Sequence, residues 1–226
     1  MDISILYYTA NLIPQFFAVN VRNHLLEVTK GEIPIISISQ VPIDFGENIY
    51  IPDISPSIYN VYKQILIGAK SAKTKYLVCC EDDSLYTSEH FRFRPQEDAF
   101  CYNVNRWRVH NDAFLFKHRR EATAAGMWNC IAPTELMIKT LGARFEKYPV
   151  RGSQIGWGEP GRYERKLGLP PVKSLAFRTE IPNITFSHET GLGGVRRIGP
   201  EDIRQKELPY WGSAKELRER MWNGIG

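Results

Sequence analysis

The 226-residue sequence predicts an α/β fold, a mostly parallel central sheet flanked by helices. Three observations predict it. Short apolar runs rich in β-branched residues recur at 3–8 (ISILYY), 33–39 (IPIISIS) and 76–80 (YLVCC), each bounded by polar residues, as buried strands are. Segments with helical spacing of apolar residues separate them. The resulting order of strand, helix, strand, helix, strand is that of parallel strands joined by right-handed crossovers.

The first strand ends in Tyr8, Thr9, Ala10 and Asn11. Small polar residues at the carboxyl end of such a strand face the ligand crevice of an open sheet. No G-x-G-x-x-G or Walker-type loop follows, so dinucleotide binding and P-loop chemistry are not supported. Pro14 suits a first helical turn, and Phe16, Phe17, Val19, Val21, Leu25 and Leu26 carry that helix to about Val28. Residues 40–57, rich in Pro, Asp, Gly and Asn, read as a loop. Ser57 then caps a helix over 57–72 whose buried face is Ile58, Val61, Tyr62, Ile65, Leu66 and Ala69. Lys63 and Gln64 lie off that face, toward a ligand or solvent.

The third strand runs directly into Glu81, Asp82 and Asp83. Carboxylates delivered to the rim of a sheet suit hard cations such as Mg²⁺ and Mn²⁺, above all when a bound phosphate completes the coordination. Acidic triplets are more often plain solvated turns, and the position after the most apolar strand is what sets this one apart. The second half is less regular. Residues 99–109 alternate as one strand, and 113–117 form another. Thr134 is expected to cap a helix over 135–141. The Gly-rich stretch 151–161 leads to Pro160, which places Glu159 at the N-terminus of a helical segment over 161–167. A short strand at 184–186 ends in Ser187 and His188, a loop with Gly191, Gly193 and Gly194 runs to Arg196 and Arg197, and a last amphipathic helix covers 213–222.

Composition is that of an ordered globular protein: 43% hydrophobic and 24% charged residues argue against disorder. No apolar run reaches the roughly 20 residues of a membrane span. The start, Met1-Asp2, lacks a basic leader and a small-residue cleavage site, so the expectation is a cytoplasmic protein. Cys79 and Cys80 are adjacent and point to opposite strand faces, and with Cys101 and Cys130 they read as reduced, packed thiols rather than metal ligands. The net charge of +4 comes from the last third, since residues to Gly142 hold 14 basic and 15 acidic side chains and the rest hold 15 and 10. A modest basic surface favours anionic ligands without choosing between phosphates and nucleic acid.

Four features can converge on one site: the acids, Glu159, His188 and the basic loop. Asp83 and His188 would hold a cation, Arg196 or Arg197 would neutralise a departing diphosphate, and Glu159 would take a proton from an acceptor hydroxyl. Trp107 and Trp157 offer flat faces for a sugar or a base. Each has a plainer reading: a satisfied histidine, a favourable charge at a helix start, core tryptophans, a solvated arginine pair.

With these residues in view, the sequence resembles a small GT-A-fold glycosyltransferase of the family-two type. The resemblance runs through ILYYTAN, IPIISIS, LVCCEDDSLY, YNVNRW, WGEPG and PNITFSHETGLGGVRR, covering most of the chain from Ile3 to about Arg197. It implies one glycosyltransferase domain over 1–226, with a nucleotide-sugar-binding half (1–86), an acceptor and catalytic half (87–200) and a helical tail (201–226). It implies Asp83, the last acid of the D-x-D-like motif, as a metal ligand for Mn²⁺ or Mg²⁺, with His188 as the second. Glu159 becomes the general base of an inverting transfer. Glu81, where relatives carry Asp, becomes a contact to the nucleotide or the metal. Tyr8, Thr9, Asn11, Gln64, Asp82, Arg196 and Arg197 fall on the nucleotide-sugar side, with Asp82 alternatively facing solvent or a neighbouring loop. The donor implied is a UDP-sugar. The acceptor is either a hydroxymethylated base in DNA, for which His118, Arg119 and Arg120 would meet the backbone, or a surface-glycan precursor or small molecule. A nucleotidyltransferase would carry a Gly-rich basic loop after the first strand, which YYTANLIPQ lacks. A non-catalytic nucleic-acid or carbohydrate binder would keep the fold without metal-dependent nucleotide binding.

Overall fold

A computed structural model describes residues 1–52, 55–117, 126–150, 152, 157–191, 199 and 202–223. Its first half follows the expected alternation. Strand β1 (Ile3–Tyr8), helix α1 (Gln15–Thr29), strands β2 (Ile35–Ser39) and β3 (Glu47–Tyr50), helix α2 (Ile58–Ser71) and strand β4 (Tyr76–Glu81) come in that order. Strand β5 (Ser84–Leu85) and helix α3 (Ser88–Arg92) follow, then strands β6 (Phe100–Asn103), β7 (Arg106–His110), β8 (Ala113–Lys117) and β9 (Cys130–Pro133). Helix α4 (Thr134–Lys147), strands β10 (Ser174–Phe177), β11 (Asn183–Phe186), β12 (Asp202–Gln205), β13 (Glu207–Leu208) and β14 (Gly212–Ser213), and helix α5 (Ala214–Asn223) complete the described order.

Seven strands form the main sheet in the order β10-β6-β9-β4-β1-β2-β3, parallel throughout except for β9. The centre is β1 against β4, where every β1 residue is buried, as the continuous apolar run ISILYY requires. One face of the sheet packs Ile5, Tyr7, Val78 and Cys80 against Phe17, Val21 and Leu25 of α1 and Leu217 of α5. The other packs Leu6, Tyr8, Leu77 and Cys79 against Tyr62, Ile65 and Ala69 of α2 and Leu141 of α4. Cys79 and Cys80 thus fall on opposite faces, and all four cysteines are buried free thiols whose pKa values burial pushes up. Gly68 lets α2 lie close on the sheet, since a Cβ there would stand 2.2 Å from Leu6 Cδ1. Among the described residues no helix is long and apolar enough to cross a membrane.

Four expectations need correction. The 40–57 segment is not all loop: β3 adds a parallel edge strand to β2, and Asn48 hydrogen-bonds the Ser37 and Ser39 hydroxyls at 2.9 Å each. Residues 99–109 are two strands in different sheets, since β6 joins the main sheet and β7 a second, five-stranded one ordered β12-β8-β7-β11-β5. The break falls where buried amides replace strand pairing: Asn103 Oδ1 accepts the Asn105 N–H at 3.0 Å, and both amides bond to Thr179. Helix α4 starts at Thr134, whose hydroxyl donates to the Thr74 carbonyl at 2.7 Å instead of capping the helix, and it runs on to Lys147. The 161–167 segment is a chain of turns, not a helix. Gly161 sits at φ +84°, and Glu164 turns inward to accept its N–H at 2.6 Å.

That inward glutamate meets Arg144 of α4, and the two are nearly devoid of exposure, at 0% and 3% of their side chains. Arg144 Nε donates to Glu164 Oε1 at 2.9 Å, its Nη2 reaches the same oxygen, and its Nη1 donates to the Gly158 carbonyl at 2.6 Å. The guanidinium also lies 5.3 Å from the Tyr62 ring centre and 5.7 Å from that of Trp157. Removing one member of such a pair leaves an uncompensated buried charge, a loss of about 3–5 kcal/mol. Arg144→Leu is therefore expected to lose stability of that order in urea unfolding, and Glu164→Gln added to it is expected to restore part of the loss. Equal stability of the single variant and the parent would refute this account.

Candidate functional site

Glu81 ends β4 and Ser84 begins β5, so Asp82 and Asp83 form the turn that carries the chain from the large sheet to the small one. Strand β5 pairs antiparallel with β11, Ser84 opposite Thr185 and Leu85 opposite Ile184, and the Phe186 N–H donates to the Asp83 carbonyl at 2.9 Å. Two residues beyond Phe186 the chain reaches His188, whose Nε2 lies 3.3 Å from Asp83 Oδ2. Strand β11 pairs parallel with β7 on its other side, Thr185 opposite Arg108. One row of neighbours across three strands thus brings Asp83, His188 and Arg108 together.

The three acids have separate environments. Glu81 Oε1 accepts the Tyr8 hydroxyl at 2.7 Å, and its backbone N–H donates to the Tyr86 hydroxyl at 3.2 Å. Burial, with the charge of Asp83 added, pushes its carboxyl up to about 8. Asp82 Oδ2 accepts the Thr9 hydroxyl, and burial followed by the Asp83 charge moves it up to about 6. Asp83 is the acid that faces His188, and its Oδ1 accepts the Ser84 hydroxyl at 2.8 Å. Burial alone would lower the His188 pKa, but the adjoining Asp83 carboxylate outweighs it and holds the imidazolium above its ordinary value. His188 Nδ1 lies 2.9 Å from Thr190 Oγ1. Nε2 is thus the ring nitrogen on the side where Asp83 stands, and a cation there would take the place of its proton.

Two cavities meet at this point. Tyr8, Thr9, Gln64, Asp82, Ser57, Asn60 and Thr190 line the first, and Tyr62, Arg108, Trp128, Trp157, Glu159 and Thr185 line the second. Val61, Glu81, Asp83, His188 and Gly191 belong to both and form the wall between them. Gln64 is buried rather than free to reach outward, and its Nε2 fixes the Thr9 carbonyl at 2.9 Å. Asn11 does not line either cavity: at φ 54° its Oδ1 accepts the N–H groups of Gln40 (2.7 Å) and Val41 (3.1 Å) and shapes the loop after β2. Asp82 faces Thr9 rather than open solvent.

On the second side, Glu159 is half-buried and lines the cavity without a helix behind it. Its segment is held by Arg144 at Gly158 and by the Tyr102 hydroxyl, which donates to the Pro160 carbonyl at 2.7 Å. Trp157 lines the same cavity but is 7% exposed, its ring packed among Tyr59, Tyr62 and Phe145 at 4.9–5.6 Å between centroids. Trp107 is not at the site. Strand alternation turns it away from its neighbour Arg108, and it packs on Phe116 at 5.2 Å. Arg196 and Arg197, and also His118, Arg119 and Arg120, lie outside the described residues. Arg108, Thr185 and Trp128 are cavity residues that the sequence reading missed; splitting 99–109 at its Asn pair would have put Arg108 on a strand of its own.

The donor set at the shared wall fits a divalent cation. A carboxylate and an imidazole turned to one point suit Mn²⁺ better than Mg²⁺, because the nitrogen is a softer ligand than Mg²⁺ prefers. Among the described residues no cluster of three or more His, Cys, Asp or Glu is found, and Asp83 and His188 are the pair that could hold a cation here.

No protein-family model and no curated protein matches the chain. Among solved structures, the chain is similar to a glycosyltransferase involved in the glycosylation of the major capsid of PBCV-1, with 6% identity, 82% of this chain and 93% of that one covered, and a TM-score of 0.52. It is similar more distantly to the bifunctional IspDF from Campylobacter jejuni (9% identity, 80% of this chain and 50% of that one, TM-score 0.43). A third is a mutant Drosophila β1,4-galactosyltransferase 7 in complex with manganese, UDP-Gal and xylobiose (11%, 80% and 66%, 0.43). The chain spans half to two thirds of the length of the last two. The first establishes the fold, which is the GT-A-like α/β fold expected from the sequence.

The raised acids give a pH dependence with a definite sign. A carboxyl with a higher pKa in the folded than in the unfolded chain binds its proton more tightly when folded, so stability falls as pH rises from the ordinary value of 4.5 through about 8. Glu81→Gln keeps the acceptor for Tyr8 without the charge. In metal-free buffer its Tm is expected to match the parent at pH 5 and to exceed it by several degrees at pH 8. A difference between the two proteins that is the same at both pH values would remove Glu81 as its source.

Proposed function

We propose that this chain is a glycosyltransferase that moves a sugar from a nucleotide-diphosphate donor to an acceptor hydroxyl, with a divalent metal held by Asp83 and His188 and with Glu159 as general base. The observation that carries this reading is the meeting of Asp83 and His188, 105 residues apart in sequence, at the wall between two cavities. A reaction that joins two substrates needs one compartment for each and a charge-stabilising centre between them.

The first cavity suits the nucleotide. It opens at the carboxyl ends of β1 and β4, the ligand crevice of an open α/β sheet. Ser57, the N-cap of α2, accepts the Asn60 N–H at 3.1 Å, and both residues line the cavity, so the positive end of that helix is turned to an anionic ligand. The second cavity takes the acceptor beside Glu159. There Glu159 accepts the hydroxyl proton as the acceptor oxygen forms its bond to the anomeric carbon, and the bond from that carbon to the diphosphate breaks, the diphosphate leaving with the electron pair. One displacement from the side opposite the leaving group inverts the anomeric centre. A divalent cation, when bound, supplies the positive charge that the departing diphosphate calls for. Arg108, which faces Glu81 and His188 electrostatically, adds fixed positive charge on the acceptor side.

UDP is the nucleotide that the sequence resemblance implies, and we retain it. For the acceptor, a glycan or small-molecule hydroxyl fits the second cavity better than a base in DNA. A flipped base was expected to stack on Trp107 or Trp157, but Trp107 stands away from the cavity and Trp157 is packed among other rings. No observation among the described residues favours the DNA acceptor.

Two outcomes are expected. With Asp83 and His188 as its ligands among the described residues, the metal should bind together with the nucleotide, so Mn²⁺ plus UDP is expected to raise Tm more than the sum of either alone. At a hundredfold excess over Kd the linkage is about 2.7 kcal/mol, or about 5–10 °C for a chain of this size. Asp83→Ala should abolish the joint shift, and a variant that keeps it would sink the metal assignment. Glu159→Gln is expected to keep that shift while losing about 10²–10⁴-fold in transfer, measured by UDP release with an accepted sugar acceptor. Transfer at the parent rate would show that Glu159 is not the base.

A further inference from the structure

A further cavity lies between α1, α5 and the β13–β14 hairpin and shares no lining residue with the two at the site. Asn23 and Glu27 face it from successive turns of α1, Arg220 from α5, and Tyr210 and Trp211 from the hairpin. The hairpin pairs Leu208 with Gly212, which leaves Pro209, Tyr210 and Trp211 as its three-residue loop. Such loops need one residue in the left-handed region, a place that Gly or Asn fills without steric penalty. Here Gly212, at φ 70°, fills one such place, and Tyr210, at φ 73° and with 62% of its surface exposed, takes a second. The strain holds an aromatic ring out in solvent at the mouth of the cavity, and a strained outlier of this kind points to a use. Trp211 backs it. Its ring stands 5.0 Å from that of Tyr210 at 84°, and it is buried with its Nε1 donating to the Pro182 carbonyl at 2.8 Å.

An exposed ring on a fixed support, with an amide, a carboxylate and a guanidinium around it, is the chemistry that binds a pyranose. The C–H face of the sugar lies on the ring, and vicinal hydroxyls bond to the planar polar groups. The carboxylate of Glu27 opposes a polyanion in the same place, so a nucleic-acid strand is disfavoured there. We propose that this cavity is a glycan-binding site for a neutral oligosaccharide, separate from the transfer site and independent of the transferase reading.

The test is saturation-transfer NMR on the full chain with maltohexaose, cellohexaose, xylohexaose and chitohexaose, and with a single-stranded oligothymidylate. At least one hexasaccharide is expected to receive saturation from the parent, with the signal reduced fivefold or more in Tyr210→Gly. Glycine suits the turn, so that variant should melt no lower than the parent. Asn23→Ala, on an exposed helix face, is the second arm and should weaken the same signal. Asp83→Ala should leave it intact, which separates this site from the transfer site whether or not the chain transfers sugar. No signal from any hexasaccharide, an undiminished signal in Tyr210→Gly, loss in Asp83→Ala instead, or binding of oligothymidylate alone would each overturn the proposal.

Discussion

A two-residue strand decides where the site forms. Ser84 and Leu85 pair with β11, and this short ladder, with the Phe186 N–H on the Asp83 carbonyl, is what brings His188 beside Asp83. The large sheet alone supplies Glu81, Asp82 and the crevice at the carboxyl ends of its strands. It supplies neither the imidazole nor Arg108, which reaches the site only through the pairing of β11 with β7. The chain leaves the large sheet at its most central strand, so the junction between the sheets coincides with the point where an open α/β sheet presents ligands.

Around that junction the protein keeps ionisable groups where water has been largely removed, and it accommodates them in two ways. At the acids, hydroxyls from Tyr8 and Thr9 donate to Glu81 and Asp82, yet burial still raises both carboxyls and favours their protonated forms. Behind Glu159, the buried pair of Arg144 and Glu164 holds an irregular segment in shape where no helix or strand does so. Both carbonyls flanking Glu159, those of Gly158 and Pro160, are held by buried side chains, which fixes its backbone through polar contacts that only this folded arrangement satisfies.

Much of the first half was legible in the sequence because its signals are local. ISILYY and YLVCC are buried runs of strand length, and Ser57 caps α2 as its chemistry implies. Strand β3 was hidden because Glu47 and Asn48 are polar, and the latter spends its amide on neighbouring serines. The alternation of 99–109 continues across Asn103 and Asn105, so that Asn pair is the one local mark of the change of sheet that the buried amide network makes. Glu159 and His188 were singled out for their residue types, but the contacts that set their surroundings come from Arg144 and from β5, which no spacing rule connects to them. Trp107 was assigned by type alone, and strand alternation decides against it.

The separation of Asp83 from His188 also sets an order of assembly during synthesis. A nascent chain that has exposed only the first hundred residues holds β1, β2, β3 and β4, the strands at whose carboxyl ends the crevice opens. It has no β11, so the two residues of β5 lack their partner and the crevice lacks its far wall. Contacts over such sequence distances form late because loop closure must precede them. Until nearly two hundred residues have left the ribosome, the growing chain therefore displays a half-built pocket with exposed strand edge, and that interval is when it most depends on protection from aggregation.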